Sequence, residues 1–368
     1  MTSFLTKTKS NESYEQRIST EPASTQICKK YAISNFEQFV SETYDGRSID
    51  EIVDELLLVK TDKGQEFEDA LYGMLQEWIN WNERRDISPS TIKVAFSNLR
   101  KYLFYRKIRT NEQDVREYLR FPKTPKEEKH PLSDHEYRVI VDAFAKNPLH
   151  QSICLALGSS GMRIGELMNI KKKDLVLSTK RITVKIPPNT KTRTGRTTFF
   201  SKEVDEKIKK RLGNLNPDDY VFCKGSPLSS ACNFRKALGR ILIRLGLDEK
   251  YQTSNYSKIT PHTFRAYFFT KAARKHDDNY AHRMIGHGGY LMQYDRMTEE
   301  EKMDMYIELE PDLVVYDQTK NKLKIEQLEE EKASISQIRE EVGRLREQLA
   351  KQDKKILAKL REDKTIPS

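Results

Sequence analysis

The chain has 368 residues, enough for two ordinary domains with some length left for tails. Hydrophobic residues make up 37% and charged residues 33%, so real cores can form beneath a heavily charged surface. The net charge of +10 favours a polyanionic partner, nucleic acid ahead of an anionic membrane surface.

The four cysteines, Cys28, Cys154, Cys223 and Cys232, have no paired or metal-ligand spacing and read as incidental thiols of a reducing compartment. No apolar run approaches the roughly 18 residues of a membrane span. The start, MTSFLTKTKSNESYEQR, lacks the apolar core of a secretory signal. A soluble, intracellular protein is expected, without membrane contact.

Residues 1–28 are polar, Ser/Thr-rich and aperiodic, which predicts a disordered tail. From 29 to 121 the pattern is helical. In FEDALYGMLQEWINW, Leu71, Leu75, Trp78, Ile79 and Trp81 recur at helical spacing. SPST then opens a second helix with the stripe Ile92, Phe96, Leu99, Leu103 and Phe104. Its other face carries Lys93, Arg100, Lys101, Arg106 and Lys107, which is either a solvated face or a nucleic-acid contact. Residues 122–131, rich in proline and charge, read as a linker.

A second domain, 132–316, begins with a capped helix whose N-cap is Ser133, with Glu136 three residues on. Helices around Ile153 and Ile164 precede RITVKI and TTFF, two strands joined by the basic turn PPNTKTRTGR. Helices resume at about Ser229 and continue to Tyr306. The expected fold is mainly α with a small antiparallel β-sheet. From 317 to 363 the composition turns to Glu, Lys and Gln. Leu328, Ile335, Val342, Leu349 and Ile356 are seven apart, with Ile338 and Leu345 at the companion position. That predicts a coiled coil; the alternative is one long helix folded back on the body.

Three segments place cations where anions are wanted. Arg163 follows the break SSG at the start of a helix, whose N-terminal end is already positive. In ITPHTFRAYFF, Thr260 and Pro261 open a helix with His262 and Arg265 three apart on one face. Two arginine forks and a histidine make an oxyanion site, unless each arginine pairs with a local carboxylate such as Glu166. Lys191 sits on the basic turn, where an electropositive pocket would lower its pKa and let it donate a proton. His287, between two glycines, is a further donor or a structural histidine.

The ordered set Arg163, Lys191, His262-x-x-Arg265, Gly286-His287, then tyrosine, resembles the tyrosine recombinases of the phage-integrase type. SSGMRIGELMNIKKKDL, DDYVFCKGSPLSSACNFRKAL and SPSTIKVAFSNLRKYLFYR are similar to other segments of that family, so the resemblance spans roughly 31–311. It implies a helical core-binding (SAM-like) DNA-binding domain at 29–121 and a catalytic domain at 132–316. It implies site-specific cleavage and rejoining of DNA through a 3′-phosphotyrosine, without metal or other cofactor. The catalytic set carried over is Arg163, Lys191, His262, Arg265, His287 and a tyrosine, with Glu166 in support.

The family's usual spacing would put the tyrosine at position 296, which is Arg296 here. Tyr290 comes early and Tyr306 late. GHGGYLMQYDR looks like archaeal integrases with a shorter spacing, which selects Tyr294. Lys93, Arg100, Lys101, Arg106, Lys107, Arg193 and Arg196 are the expected DNA contacts. Duplex DNA is the expected partner, met by a homo-oligomer, dimer to tetramer, at the nucleoid. A recombinase-fold protein without cleavage activity and a type IB topoisomerase are the alternatives.

Overall fold

The computed structural model describes residues 9–62, 64–123, 126–188, 195–287 and 296–362. It divides into two compact units, Met1–Glu127 with Gln252–Ser254, and Glu128–Tyr251 with Asn255–Ser368.

The first unit contains α1 (Asn11–Ile18), α2 (Ala23–Thr43), α3 (Ile49–Asp62), α4 (Gly64–Arg84), α5 (Pro89–Tyr105) and α6 (Glu112–Tyr118). The expected stripes of α4 and α5 form its core, with Leu71, Leu75, Trp78, Ile92, Leu99 and Leu103 buried. The helix start at SPST forms as expected, Ser88 accepting from the Thr91 N–H with Pro89 at the first helical position. α2 packs along α5 and adds Phe36 and Phe39. A closed polar network lies inside this core. The Trp78 indole donates to Asn35 Oδ1 (2.8 Å), Asn35 Nδ2 to Asn82 Oδ1 (2.9 Å), and Asn82 Nδ2 to the Trp78 carbonyl (2.9 Å). Satisfied polar groups of this kind fix one register of α2 against α4.

Three expectations fail in this unit. Residues expected to be a disordered tail form α1 and the first turns of α2, because Tyr14 and Ile18, four apart, bury fully. Tyr14 meets Tyr102 edge-on with ring centroids 5.3 Å apart. Two apolar anchors in a polar helix leave little periodicity to read. Phe104, expected in the α5 stripe, is exposed, with the Arg109 guanidinium over its ring. Arg106, expected at DNA, is buried: it pairs with Asp50 and Asp54 and donates to the Tyr102 hydroxyl.

The second unit begins with α7 (Asp134–Ala143), whose Ser133–Glu136 cap forms in both directions (3.1 and 2.8 Å). It continues with α8 (Pro148–Ser160), the short α9 (Ile164–Met168), a 3₁₀ turn at Lys172–Asp174, and the strands β1 (Leu175–Val176), β2 (Thr183–Ile186) and β3 (Arg196–Phe199). The sheet is antiparallel in the order β1-β2-β3, with Thr183 opposite Phe199 and Ile186 opposite Arg196. β2 and β3 are the expected pair. β1 adds a third strand too short to show a period.

Then follow α10 (Lys202–Gly213), α11 (Pro227–Leu245), α12 (Pro261–Lys275), α13 (Asp278–Ile285), α14 (Glu299–Leu313) and α15 (Asp317–Glu362). α12 is central, packed against α8, α13 and α14. Among the described residues no helix is long and apolar enough to cross a membrane.

The base of α15 is bolted to this unit. Glu203 accepts from the Val315 and Tyr316 N–H groups (both 2.9 Å), and Arg138 donates to the Val315 carbonyl (2.8 Å). Leu323 is buried, and Gln327 donates to the Ile307 carbonyl (2.7 Å).

Gly161 ends α8 in the left-handed region, φ +63°. A Cβ there would sit 2.5 Å from the Phe268 ring and 2.8 Å from Ile285. Gly161→Ala should therefore cost about 2–5 kcal/mol, from backbone strain and overpacking together. The urea midpoint should fall with an unchanged slope. A variant as stable as the parent would mean that this turn relaxes freely.

Candidate active site

The break that ends α8 also sets the first arginine. Tight packing of Gly161 against α12 turns the chain so that Arg163 precedes α9. The Arg163 N–H donates to Glu166 Oε2 (3.0 Å), and its guanidinium Nη1 to Glu166 Oε1 (2.8 Å). The local pairing that the sequence left open thus exists. It does not use up the site, because Glu166 serves a second arginine as well.

That second arginine is Arg196. The Thr198 hydroxyl, fully buried, donates to the Ser160 carbonyl (2.9 Å) and stitches β3 to the end of α8. Two residues earlier on the same strand, Arg196 grips Glu166 with both guanidinium ends (2.6 and 3.2 Å). Its Nε donates to the Met284 carbonyl in the last turn of α13 (3.0 Å). The side chain is only 6% exposed. Arg196 is therefore no outward DNA contact, as the sequence suggested, but an internal clamp from α9 to α13. Burial pushes the Glu166 carboxyl up, but the Arg196 hydrogen bonds and charge, with Arg163 behind them, hold it below the usual carboxylate range.

α12 supplies the next pair. Thr260 N–H donates to Thr263 Oγ1 (2.9 Å), and Pro261 takes the first helical position, where its missing N–H costs nothing. Phe264, Tyr267 and Phe268 bury the helix, with Phe264 and Tyr267 each edge-on to Tyr137. His262 and Arg265 are thereby held on a rigid element. Arg265 is 2% exposed and donates through Nη1 to the Gly161 carbonyl (2.6 Å). Its Nη2 is buried with no hydrogen-bond partner among the described residues. Burial first, then the charges of Arg163 and Arg196, pull the Arg265 pKa down to about 9, so it stays charged at neutral pH. Burial, Arg265 and Arg163 likewise lower the His262 pKa, which favours the neutral imidazole.

α13 ends at Gly286, φ +70°, where a Cβ would lie 2.8 Å from the Arg196 guanidinium. Only a glycine lets the chain pass so close. The next residue, His287, has its ring centroid 5.5 Å from that of His282. Burial, then Arg265 and Arg163, lower its pKa, so it shares the field of both arginines.

Arg163, Glu166, His262 and Arg265 line one cavity of about 940 Å³. Lys171, Lys173, Arg235 and Tyr220 complete its polar wall. Five lysines and arginines therefore face two carboxylates, Glu166 and Asp174, so the described part of the cavity suits an anion. Lys171 and Lys173 were missed singly, although the run KKK was visible. Their tie to Asp218 (3.4 and 2.6 Å) brings together segments 45 or more residues apart. Among the described residues no cluster of His, Cys, Asp and Glu is arranged to hold a metal ion.

Lys191, Arg193, Tyr290 and Tyr294 lie outside the described residues. Tyr306 lies within them and is fully buried, its hydroxyl donating to the Ser159 carbonyl (2.9 Å). Burial pushes its pKa far up. Of the expected contacts on α5, Lys93 and Lys101 are exposed, as is Lys107 just beyond the helix. Arg100 turns back to Thr110, donating to its hydroxyl (2.8 Å).

A search of the curated proteins finds no match. Residues 130–292 match the model of the Phage integrase family. Lambda integrase residues 75–356, solved as a dimer bound to a COC′ core site, is 17% identical, covering 78% of this chain and 97% of that one, with a TM-score of 0.53. Another lambda integrase dimer on a COC′ core site is also 17% identical, covering 78% and 79%, with a TM-score of 0.52. The Tn1549 transposon integrase (residues 82–397) in complex with circular intermediate DNA is 16% identical, covering 74% and 98%, with a TM-score of 0.46. The lambda structures share the fold, and the family match includes the two arginines, the shared carboxylate and both histidines. Residues 130–292 thus carry a domain of the phage integrase family, and the lambda structures show its fold.

Proposed function

We propose that the chain cleaves and rejoins duplex DNA with Tyr294 as nucleophile and Arg163, Lys191, His262, Arg265 and His287 as its catalytic partners. The observation that carries this reading is Arg265: a buried, charged guanidinium with an unpartnered Nη2, lining a cation-rich cavity beside Arg163 and His262. A phosphodiester supplies the missing acceptor, and the two forks then stabilise the charge that grows on its oxygens as phosphorus becomes pentacoordinate. The Tyr294 oxygen, its phenolic proton released to water, bonds to phosphorus, the bond to the 5′ oxygen breaks, and Lys191 gives that oxygen a proton. The 3′-phosphotyrosine retains the bond energy, so a different 5′ hydroxyl can reverse the step and join new ends.

In this reading residues 29–121 form the core-binding domain, and Lys93, Lys101 and Lys107 contact DNA phosphates, with Arg193 on the hairpin turn. Residues 132–316 form the catalytic domain. The lambda relatives are dimers on a core site, and we assign this chain the same partner class: duplex DNA, bound by two to four copies, at the nucleoid.

The nucleophile is tested by denaturing gels on a nicked suicide substrate followed by peptide mapping. Tyr294→Phe should bind DNA yet form no covalent adduct, whereas Tyr306→Phe should still form one. Loss of the adduct in both, with the DNA-linked peptide mapping to Tyr306, would overturn the assignment; a wild-type chain that never forms one would be a DNA-binding protein only.

Lys191→Ala should slow cleavage by roughly 10²–10⁴. A substrate with sulfur at the 5′ leaving position needs little protonation and should restore most of that rate. Equal slowing on both substrates would reduce Lys191 to a binding contact.

Arg196 is assigned a positioning role through Glu166 and the α13 turn. Arg196→Met should lower the cleavage rate about 10²-fold, the cost of misplacing catalytic groups by about an ångström. Affinity for the intact site and its salt dependence should hold, and Arg196→Lys should recover part of the rate. A salt slope reduced by about one charge would make Arg196 a phosphate contact instead.

A further inference from the structure

We propose that α15 forms a parallel, in-register, two-stranded coiled coil with α15 of a second copy of this chain, with Glu341 of each copy opposite Arg346 of the other. The contact is separate from the chemistry of the cavity and goes beyond the proposed reaction.

The helix runs 46 residues, about 70 Å at 1.5 Å per residue. Its first three turns are fastened to the body through Glu203, Arg138, Leu323 and Gln327. Beyond them the apolar residues leave the body altogether. Ile335, Ile338, Val342, Leu345, Leu349 and Ile356 are between 41% and 62% exposed. The helix folded back on its own body, which the sequence also allowed, is therefore not what forms. Six aliphatic side chains on one stripe, in water, call for a covering surface.

The spacing and charge identify that surface. With Ile335, Val342, Leu349 and Ile356 at the first core position, Ile338 and Leu345 take the second, and the seam repeats every seven residues. The flanking positions on one side are then Lys332, Arg339, Arg346 and Asp353, the first three basic. An antiparallel pair sets those positions against one another and places arginine on arginine. A parallel pair sets each against the opposite flank of the partner, five residues earlier. Glu341 then meets Arg346, Ser334 meets Arg339, and Gln348 meets Asp353, with no like charges opposed. Charge thus selects the parallel arrangement.

Register is selected by Gln352, which interrupts the second core position. In register it meets its own copy, amide to amide. A slip of one heptad buries it against Leu345, leaving the amide without a partner. β-branched Ile335, Val342 and Ile356 at the first core position, with Leu345 at the second, favour two strands over three.

The test uses the full-length chain without DNA, so its outcome does not depend on cleavage. Sedimentation equilibrium at micromolar concentration should show a reversible dimer. Leu345→Glu, at an exposed position, should give a folded monomer by circular dichroism and sedimentation. Glu341→Lys should weaken the dimer about tenfold, and adding Arg346→Glu should restore it.

For orientation, Ile335→Cys and Ile356→Cys are made separately in a background of Cys28→Ser and Cys232→Ser. Under mild oxidation each should cross-link to itself. A wild-type monomer, a dimer that survives Leu345→Glu, or a double charge swap that does not recover would overturn the proposal. Cross-linking seen only when the two cysteine variants are mixed would show an antiparallel pair and overturn it as well.

Discussion

Everything at the cavity depends on one carboxylate shared between two arginines. Glu166 carries a single charge, and Arg163 and Arg196 both draw on it. The cluster is left with one positive charge in excess before Arg265 is counted. A buried ion cluster of this composition does not serve stability, since unpaired buried charge is costly. In the proposed function, the DNA phosphate brings the missing negative charge. The fold around it is built to hold that imbalance in place, with β3 sewn to α8 through Thr198 and α12 wedged beneath by its aromatic residues.

In the proposed reaction Glu166 has two functions that pull against each other. It must orient Arg163 through a backbone N–H and a guanidinium at once, which calls for a close contact. It must also not neutralise Arg163 so fully that a phosphate gains nothing by arriving. Arg196 also draws on the carboxylate, at 2.6 Å against 2.8 Å for Arg163, so Glu166 is shared rather than given to Arg163 alone. In that reading Arg196, which is not among the described residues lining the cavity, moderates the positive charge the cavity presents.

Much of this was legible in the sequence, and what was not has physical causes. The amphipathic stripes of α4 and α5 and the β2–β3 pair follow directly from period. Arg163, His262 and Arg265 stood out because cations at helix starts are unfavourable without an anion. Arg196 was misread because it lies on a basic hairpin, and nothing local says that a strand residue two before a buried threonine points inward. Arg106 was misread for the same reason: its partners Asp50 and Asp54 come from another helix more than fifty residues away. α1 was missed because two buried side chains, Tyr14 and Ile18, suffice to fold eight residues when a tyrosine-rich surface is waiting for them.

The stripe on the free part of α15 has a consequence for how this chain can change length over generations. A helix turns about 100° per residue, so losing one residue between Ile335 and Ile356 rotates everything beyond it off the shared face. Losing seven returns the face almost to where it was. Insertions and deletions in this tail should be tolerated in whole heptads and selected against otherwise, while the body before Asp317, whose loops end in glycine caps and hydrogen-bonded turns, is under no such arithmetic.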